Sequence, residues 1–188
     1  MRILAISGSL RRDSHNTKLL RAAGELLPPD VVFEYYDDLE SVPPYNEDRD
    51  TAEAPAAVEH LRAAVEAAGG VLIATPEYNA SVPGQLKNAI DWASRPVRAG
   101  ALWGKPVAVV GASTGMYGGV WAQAELRKIL GTAGARVVDV EVAVSRAHQR
   151  FDEDGHLVDE EIRSELREAV RSLVLALGPQ LVAAEVAA

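Results

Sequence analysis

The stretch Arg2-Ile3-Leu4-Ala5-Ile6-Ser7-Gly8-Ser9-Leu10-Arg11-Arg12-Asp13-Ser14-His15-Asn16-Thr17 decides how the rest of the chain is read. Arg2 to Ile6 is a short apolar run bounded by Ser-Gly-Ser, the pattern of a buried strand. A helical pattern follows from Asn16 to Leu27, with Leu19, Ala23, Leu26 and Leu27 on one face, and Pro28 and Pro29 stop it. A loop passing from strand to helix collects unpaired backbone N–H groups and the positive end of the helix dipole, so it attracts anions. This loop adds the hydroxyls of Ser9, Ser14 and Thr17, the amide of Asn16 and the guanidinium of Arg11. All donate hydrogen bonds, and the arginine adds charge. Any one of them could merely cap the helix, as Ser and Asn often do. As a set they read as a phosphate cradle.

Working outward, Val31 to Tyr36 is β-branched and aromatic and predicts a second strand. Asp37 to Thr51 is a polar loop in which Pro43-Pro44-Tyr45-Asn46 forbids regular structure. Ala54 to Ala68 predicts a helix with Val58, Leu61 and Val65 on one stripe, and Val71 to Thr75 a third strand, apolar throughout. Pro76-Glu77-Tyr78-Asn79 ends it. Ser81-Val82-Pro83-Gly84 opens the next helix, with Ser81 as cap and Leu86, Ala89, Ile90 and Ala93 as its apolar face. Pro106 to Ala112 is a fourth apolar strand. Ser113 to Gly119 is glycine-rich, and a helix from Val120 to Ala133 follows. Val138, Val140 and Val142 alternate with Asp139 and Glu141, as in a half-exposed edge strand. Asp154-Gly155 signals a small hairpin, and a last helix spans Asp159 to Leu177.

Five strands alternating with helices predict an α/β fold: a doubly wound parallel sheet of order 2-1-3-4-5, helices on both faces. Residues 1 to 180 form one domain on this reading, with Leu181 to Ala188 a frayed, flexible tail. Ligands of such sheets bind beyond the carboxyl ends of the strands, where the strand order reverses. The loops after strands 1, 3 and 4 meet there, and they are the three stretches least explicable as scaffold.

The 188 residues are 48% hydrophobic and carry a formal charge of −8, which suits one core and disfavours a nucleic-acid partner. The chain contains no cysteine, which excludes disulfides, thiolate-bound metals and cysteine nucleophiles. The four histidines lack the spacing of a helical metal site and read as surface residues, so no metal site is assigned. No apolar run approaches the roughly 20 residues of a membrane span, and no signal peptide is seen, so a soluble cytoplasmic protein is expected.

A phosphate site beside a planar slot suits a mononucleotide such as FMN, and the hard chemistry would then belong to the cofactor. Gly115, Gly118 and Gly119 would let backbone approach a flat ligand. The G-x-x-x-x-G-K-[ST] of a P-loop is missing, and only Gly8 of a G-x-G-x-x-G turn is present. Asp37 or Asp38 could mimic the ribose-binding acid of dinucleotide folds. Glu77 is a general base by type, but a hydrogen-bonding or subunit-contact role is preferred here, and no single essential acid or base is named.

The motifs Ser7-Gly8-Ser9-Leu10-Arg11 with Ser14 and Asn16, Pro43-Pro44-Tyr45-Asn46-Glu47-Asp48, Pro76-Glu77-Tyr78-Asn79, Ser81-Val82-Pro83-Gly84 and Leu86 to Trp92 resemble the NADPH-dependent FMN reductase family. The likeness covers residues 1 to 175. It implies a flavodoxin-like fold, non-covalent FMN, and a homodimer or homotetramer with the flavin near a subunit interface. It implies that Ser9, Arg11, Ser14, Asn16 and Thr17 hold the phosphate. Pro76, Glu77, Tyr78 and Asn79 would line the isoalloxazine, with Ser113, Thr114 and Gly115 at its other end. The family often has Ser-Pro-Gly where this chain has Ser113-Thr114-Gly115. The implied activity is ping-pong hydride transfer from NADPH or NADH to FMN and on to a quinone, flavin, azo compound or chromate. The competing readings are a flavodoxin-like electron carrier and a flavin-binding sensor, neither turning over NAD(P)H.

Overall fold

Two strands without a polar side chain facing water anchor the architecture. β3 (Gly70–Thr75) and β4 (Pro106–Ala112) are buried at every position, which requires cover on both faces. The computed structural model describes residues 1–178, and the tail expected at Leu181 to Ala188 lies outside them. β1 (Arg2–Ser7) pairs in parallel with β3 and with β2 (Val32–Tyr36), and the order is β2-β1-β3-β4-β5, as predicted. Helices α2 (Ala56–Ala67), α3 (Gly84–Ala93) and α4 (Val120–Thr132) cover one face around Leu61, Ile73, Leu86 and Leu126. Helices α1 (His15–Gly24) and α5 (Glu160–Ala176) cover the other around Leu19, Leu72, Val110 and Leu166. The Asp159 side chain caps α5 by accepting from the Ile162 N–H, 3.1 Å away.

The sheet departs from expectation at its far edge. The alternating valines do not form one strand: β5 (Arg136–Val137) and β6 (Ala143–Val144) pair with β4 at their two ends, and the residues between lift away. Arg127 is the physical reason. Its guanidinium enters the gap and donates to the Val109 and Val140 carbonyls, replacing ladder bonds. Ser81 does not cap α3, because its backbone closes a tight turn with Tyr78 and Pro83 stands at the cap position. Helix α1 ends at Gly24 rather than Leu27, and its last residue packs under Phe33 and Tyr35. The hairpin signalled by Asp154-Gly155 is present, with Phe151 bridged to Leu157.

The proline-rich loop after β2 holds two short 3-10 turns, Leu39–Ser41 and Glu47–Arg49. Side chains of α3 staple it down. Gln85 Nε2 donates to the Leu39 and Val42 carbonyls, and Asn88 and Trp92 both donate to Pro43 O, each at 2.8 Å. Arg62 closes the far end through Asp50 at 2.7 Å. Trp92 is fully buried here, whereas Trp103 is 51% exposed.

Candidate functional site

The loop after β1 supplies the donors. Ser14 caps α1, its Oγ accepting from the Asn16 and Thr17 N–H groups. Among the described residues, the backbone N–H groups of Leu10, Arg12, Asp13, Ser14 and His15 have no protein acceptor. Arg11 makes no ion pair among the described residues. Orphan N–H groups at a helix N-terminus beside a free guanidinium suit a multiply charged oxyanion.

These groups open onto a cavity of about 130 Å³ that also receives the other two loops. Ser9, Arg11, Ser14 and Asn16 line one side. Pro76, Glu77 and Tyr78 line the second, and Ser113 and Thr114 the third. The topology therefore brings together nine of the twelve residues singled out from the sequence. Thr17, Asn79 and Gly115 do not line it.

Several of these side chains are already committed. The Asn16 amide donates to Ala112 O at 3.0 Å and accepts from Ala112 N at 2.9 Å, tying α1 to the end of β4. Thr17 Oγ1 donates to Ser7 Oγ at 3.0 Å and faces a neighbouring cavity. Glu77 Oε2 accepts from the Trp121 and Ala122 N–H groups, each at 3.1 Å. It thereby caps α4, whose own cap position is Gly119 and offers no side chain. A carboxylate at a helix N-terminus is favoured by the helix dipole.

The turn after β3 is strained in a defined way. Asn79 and Ala80 both have positive φ, 54° and 59°, and Tyr78 and Ser81 exchange backbone hydrogen bonds across them. Among the described residues, this leaves the N–H groups of Asn79 and Ala80 without protein acceptors. In the loop after β4, Gly118 is required by packing rather than by a ligand: a Cβ there would lie 2.4 Å from the Ala143 carbonyl carbon. Gly115 has open space around it apart from Ser113 Oγ.

Two features of the rim escaped sequence reading. His15 joins the cavity wall with its ring stacked on Phe151 at 5.8 Å, so it is not an ordinary surface histidine. Burial is the main cause holding its pKa below the usual imidazole value, with Lys18 adding to the shift. Outside the cavity, Tyr117 and Trp121 stack edge-to-face at 4.9 Å, and Met116, next to Tyr117 in the chain, is exposed. Periodicity gave no sign of this apolar rim, because Met116 and Tyr117 sit in a loop.

A parallel sheet of this order with a donor-rich loop after β1 defines a flavodoxin-like protein. The sequence profile of NADPH-dependent FMN reductases matches residues 1–149. An NAD(P)H-dependent FMN reductase of Pseudomonas aeruginosa is 42% identical over 176 residues, covering 93% of this chain and 94% of its own. A 2-hydroxy-1,4-benzoquinone reductase of Burkholderia is 38% identical, covering 89% and 91%. The solved structure of FerB, a flavoenzyme NAD(P)H:(acceptor) oxidoreductase of Paracoccus denitrificans, matches with a TM-score of 0.81 at 35% identity, covering 94% and 96%. The chain belongs to the NADPH-dependent FMN reductase family. It is an oxidoreductase that uses FMN and NAD(P)H. No helix among the described residues is long and apolar enough to cross a membrane.

Proposed function

We propose that the protein is an FMN-dependent NAD(P)H:acceptor reductase working by a ping-pong sequence, with quinones as its principal acceptor class. One observation carries this reading: the orphan N–H cluster and free Arg11 guanidinium open onto the same cavity as the loops after β3 and β4. Those donors suit the FMN phosphate, with Ser9 and Ser14 hydroxyls completing the shell. Asn16 and Thr17 act from behind, holding the cradle in shape. The Tyr78 turn and the Ser113-Thr114-Gly115 segment would bracket the isoalloxazine.

Bound FMN would take a hydride from NAD(P)H and pass two electrons to the acceptor. The protein's part is position and electrostatics. The free N–H groups of Asn79 and Ala80 are suited to hold negative charge on the reduced ring. The cavity is lined by the loops after β1, β3 and β4, and on this reading donor and acceptor share one approach beside Tyr78. A shared approach makes the two visit in turn. The quinone assignment rests on that aromatic rim and on the quinone reductases among the relatives; flavins, azo compounds and chromate are the other acceptors expected.

We further infer that a second copy of the chain, in a homodimer or homotetramer, covers part of this rim. Met116, Tyr117 and Trp121 are each about half exposed or more, and Tyr117 and Trp121 stack on one another, apolar groups that a partner copy would cover. An enzyme drawing on the NAD(P)H pool belongs where that pool is kept, the cytoplasm.

The test is anaerobic mixing of the FMN-loaded protein with NADPH in a stopped-flow spectrometer. Bleaching of the flavin bands within seconds is expected. Bands that persist would refute NAD(P)H turnover and leave the carrier or sensor.

A further inference from the structure

A second cavity of about 490 Å³ lies on the opposite side of the first loop, beyond the carboxyl ends of β1 and β2. Ser9 lines both cavities, and the first loop stands between them. Arg11 and Arg12 point to opposite sides: Arg11 into the cradle and Arg12 into this second space.

Its lining is unusual in charge. Arg12 and Arg21 come from one wall, and Asp37 and Glu40 from the other. Among the described residues, none of these four side chains makes an ion pair or hydrogen bond, with each other or with anything else. Their charged neighbours do pair: Lys18 with Asp13, Arg163 with Glu25 and Arg2 with Glu34. Between the charges the walls are apolar, with the Tyr35 ring and Leu20. An acid just past the second strand is where dinucleotide folds hold a ribose diol, because a carboxylate accepts from both hydroxyls. Two guanidiniums opposite suit a phosphate. A half-exposed aromatic ring over an apolar floor suits a flat base.

From this we propose that the cavity is a binding site for a phosphorylated adenosine-type nucleoside. The phosphate meets Arg12 and Arg21, the ribose hydroxyls donate to Asp37 and Glu40, and the base lies against Tyr35. Two sources carry that chemistry: the adenosine end of NADH, passing over Ser9 from the flavin, or a free mononucleotide bound on its own account. The first rests on the reductase reading above, and the second does not.

The probe is adenosine 5′-monophosphate, which keeps both ribose hydroxyls, titrated calorimetrically into FMN-loaded protein so that the cradle is already filled. Wild type should bind it, and Arg12→Ala with Arg21→Ala should weaken binding about tenfold or more. Asp37→Asn with Glu40→Gln, which keeps the cavity's shape, should weaken it severalfold. All four side chains are exposed, and retained flavin absorbance verifies folding. A rise in KM for NADH in the arginine variant identifies the source as the co-substrate. Weakened probe binding with unchanged KM identifies a free nucleotide. No binding to wild type at millimolar probe, or equal binding by wild type and both variants, overturns the proposal. If NADPH fails to reduce wild-type flavin, the reductase reading falls, and the calorimetry still judges the cavity.

Discussion

Asn16→Leu is the substitution that most sharply separates scaffold from ligand contact in the cradle. Asn16 is 3% exposed, and its amide makes two hydrogen bonds to one peptide unit, Ala112 N and O. Leucine has nearly the same size, so packing changes little. The substitution leaves a buried donor and a buried acceptor without partners at the end of β4. Two lost neutral hydrogen bonds with partial desolvation costs amount to about 2–4 kcal/mol. In a domain of this size that lowers Tm by roughly 5–15 °C. The assay is urea unfolding of the flavin-free protein, checked for an unchanged m-value, alongside FMN titration followed by flavin fluorescence. The account predicts that stability falls before any flavin is added. If the flavin-free variant is as stable as wild type within about 0.5 kcal/mol while FMN binding collapses, Asn16 is a phosphate ligand and the reasoning is refuted.

Arg11→Ala should weaken FMN binding about ten- to a hundredfold, the cost of one charge-assisted contact, and leave riboflavin binding unchanged; unchanged FMN retention would remove Arg11 from the phosphate shell. Glu77→Gln should cost about 0.5–1 kcal/mol of stability through the α4 cap and keep turnover within about tenfold. A loss of 10²–10⁴, the range of general acid–base catalysis, would mean the carboxylate also moves a proton. His15, whose pKa burial lowers from the ordinary 6.5, contributes stability that is full above that pH and lost as the pH falls below it. His15→Phe should therefore flatten the acid side of the stability profile, read by denaturant midpoints from neutral pH downward. Ala80→Gly should stabilise the protein by up to about 1 kcal/mol, because alanine is held at φ 59°; a loss of stability there would contradict the observed turn.

The sheet was legible because β3 and β4 are apolar runs with nothing to expose, and because strand–helix alternation leaves few topologies open. The edge was not, because alternation at Val138 to Val142 carries no trace of a guanidinium arriving from α4. That the loop after β1 gathers donors was legible from a strand, a polar loop and a helix start. Which of its donors stay free was not. Asn16 finds its partner 96 residues away and Glu77 finds its own 44 residues away, distances that local pattern cannot span. Trp92 and Trp103 are alike in sequence and opposite in the fold, since only Trp92 has a carbonyl, that of Pro43, waiting for its indole N–H.

The most direct measurement compares FMN with riboflavin on the wild-type flavin-free protein. The two ligands share the ring and differ only in the phosphate, so their affinity ratio isolates the cradle. The account predicts that FMN binds about a hundredfold or more tightly than riboflavin, as several charge-assisted hydrogen bonds require. Equal affinities would mean that the loop after β1 holds no phosphate, and the assignment of the site would fail with it.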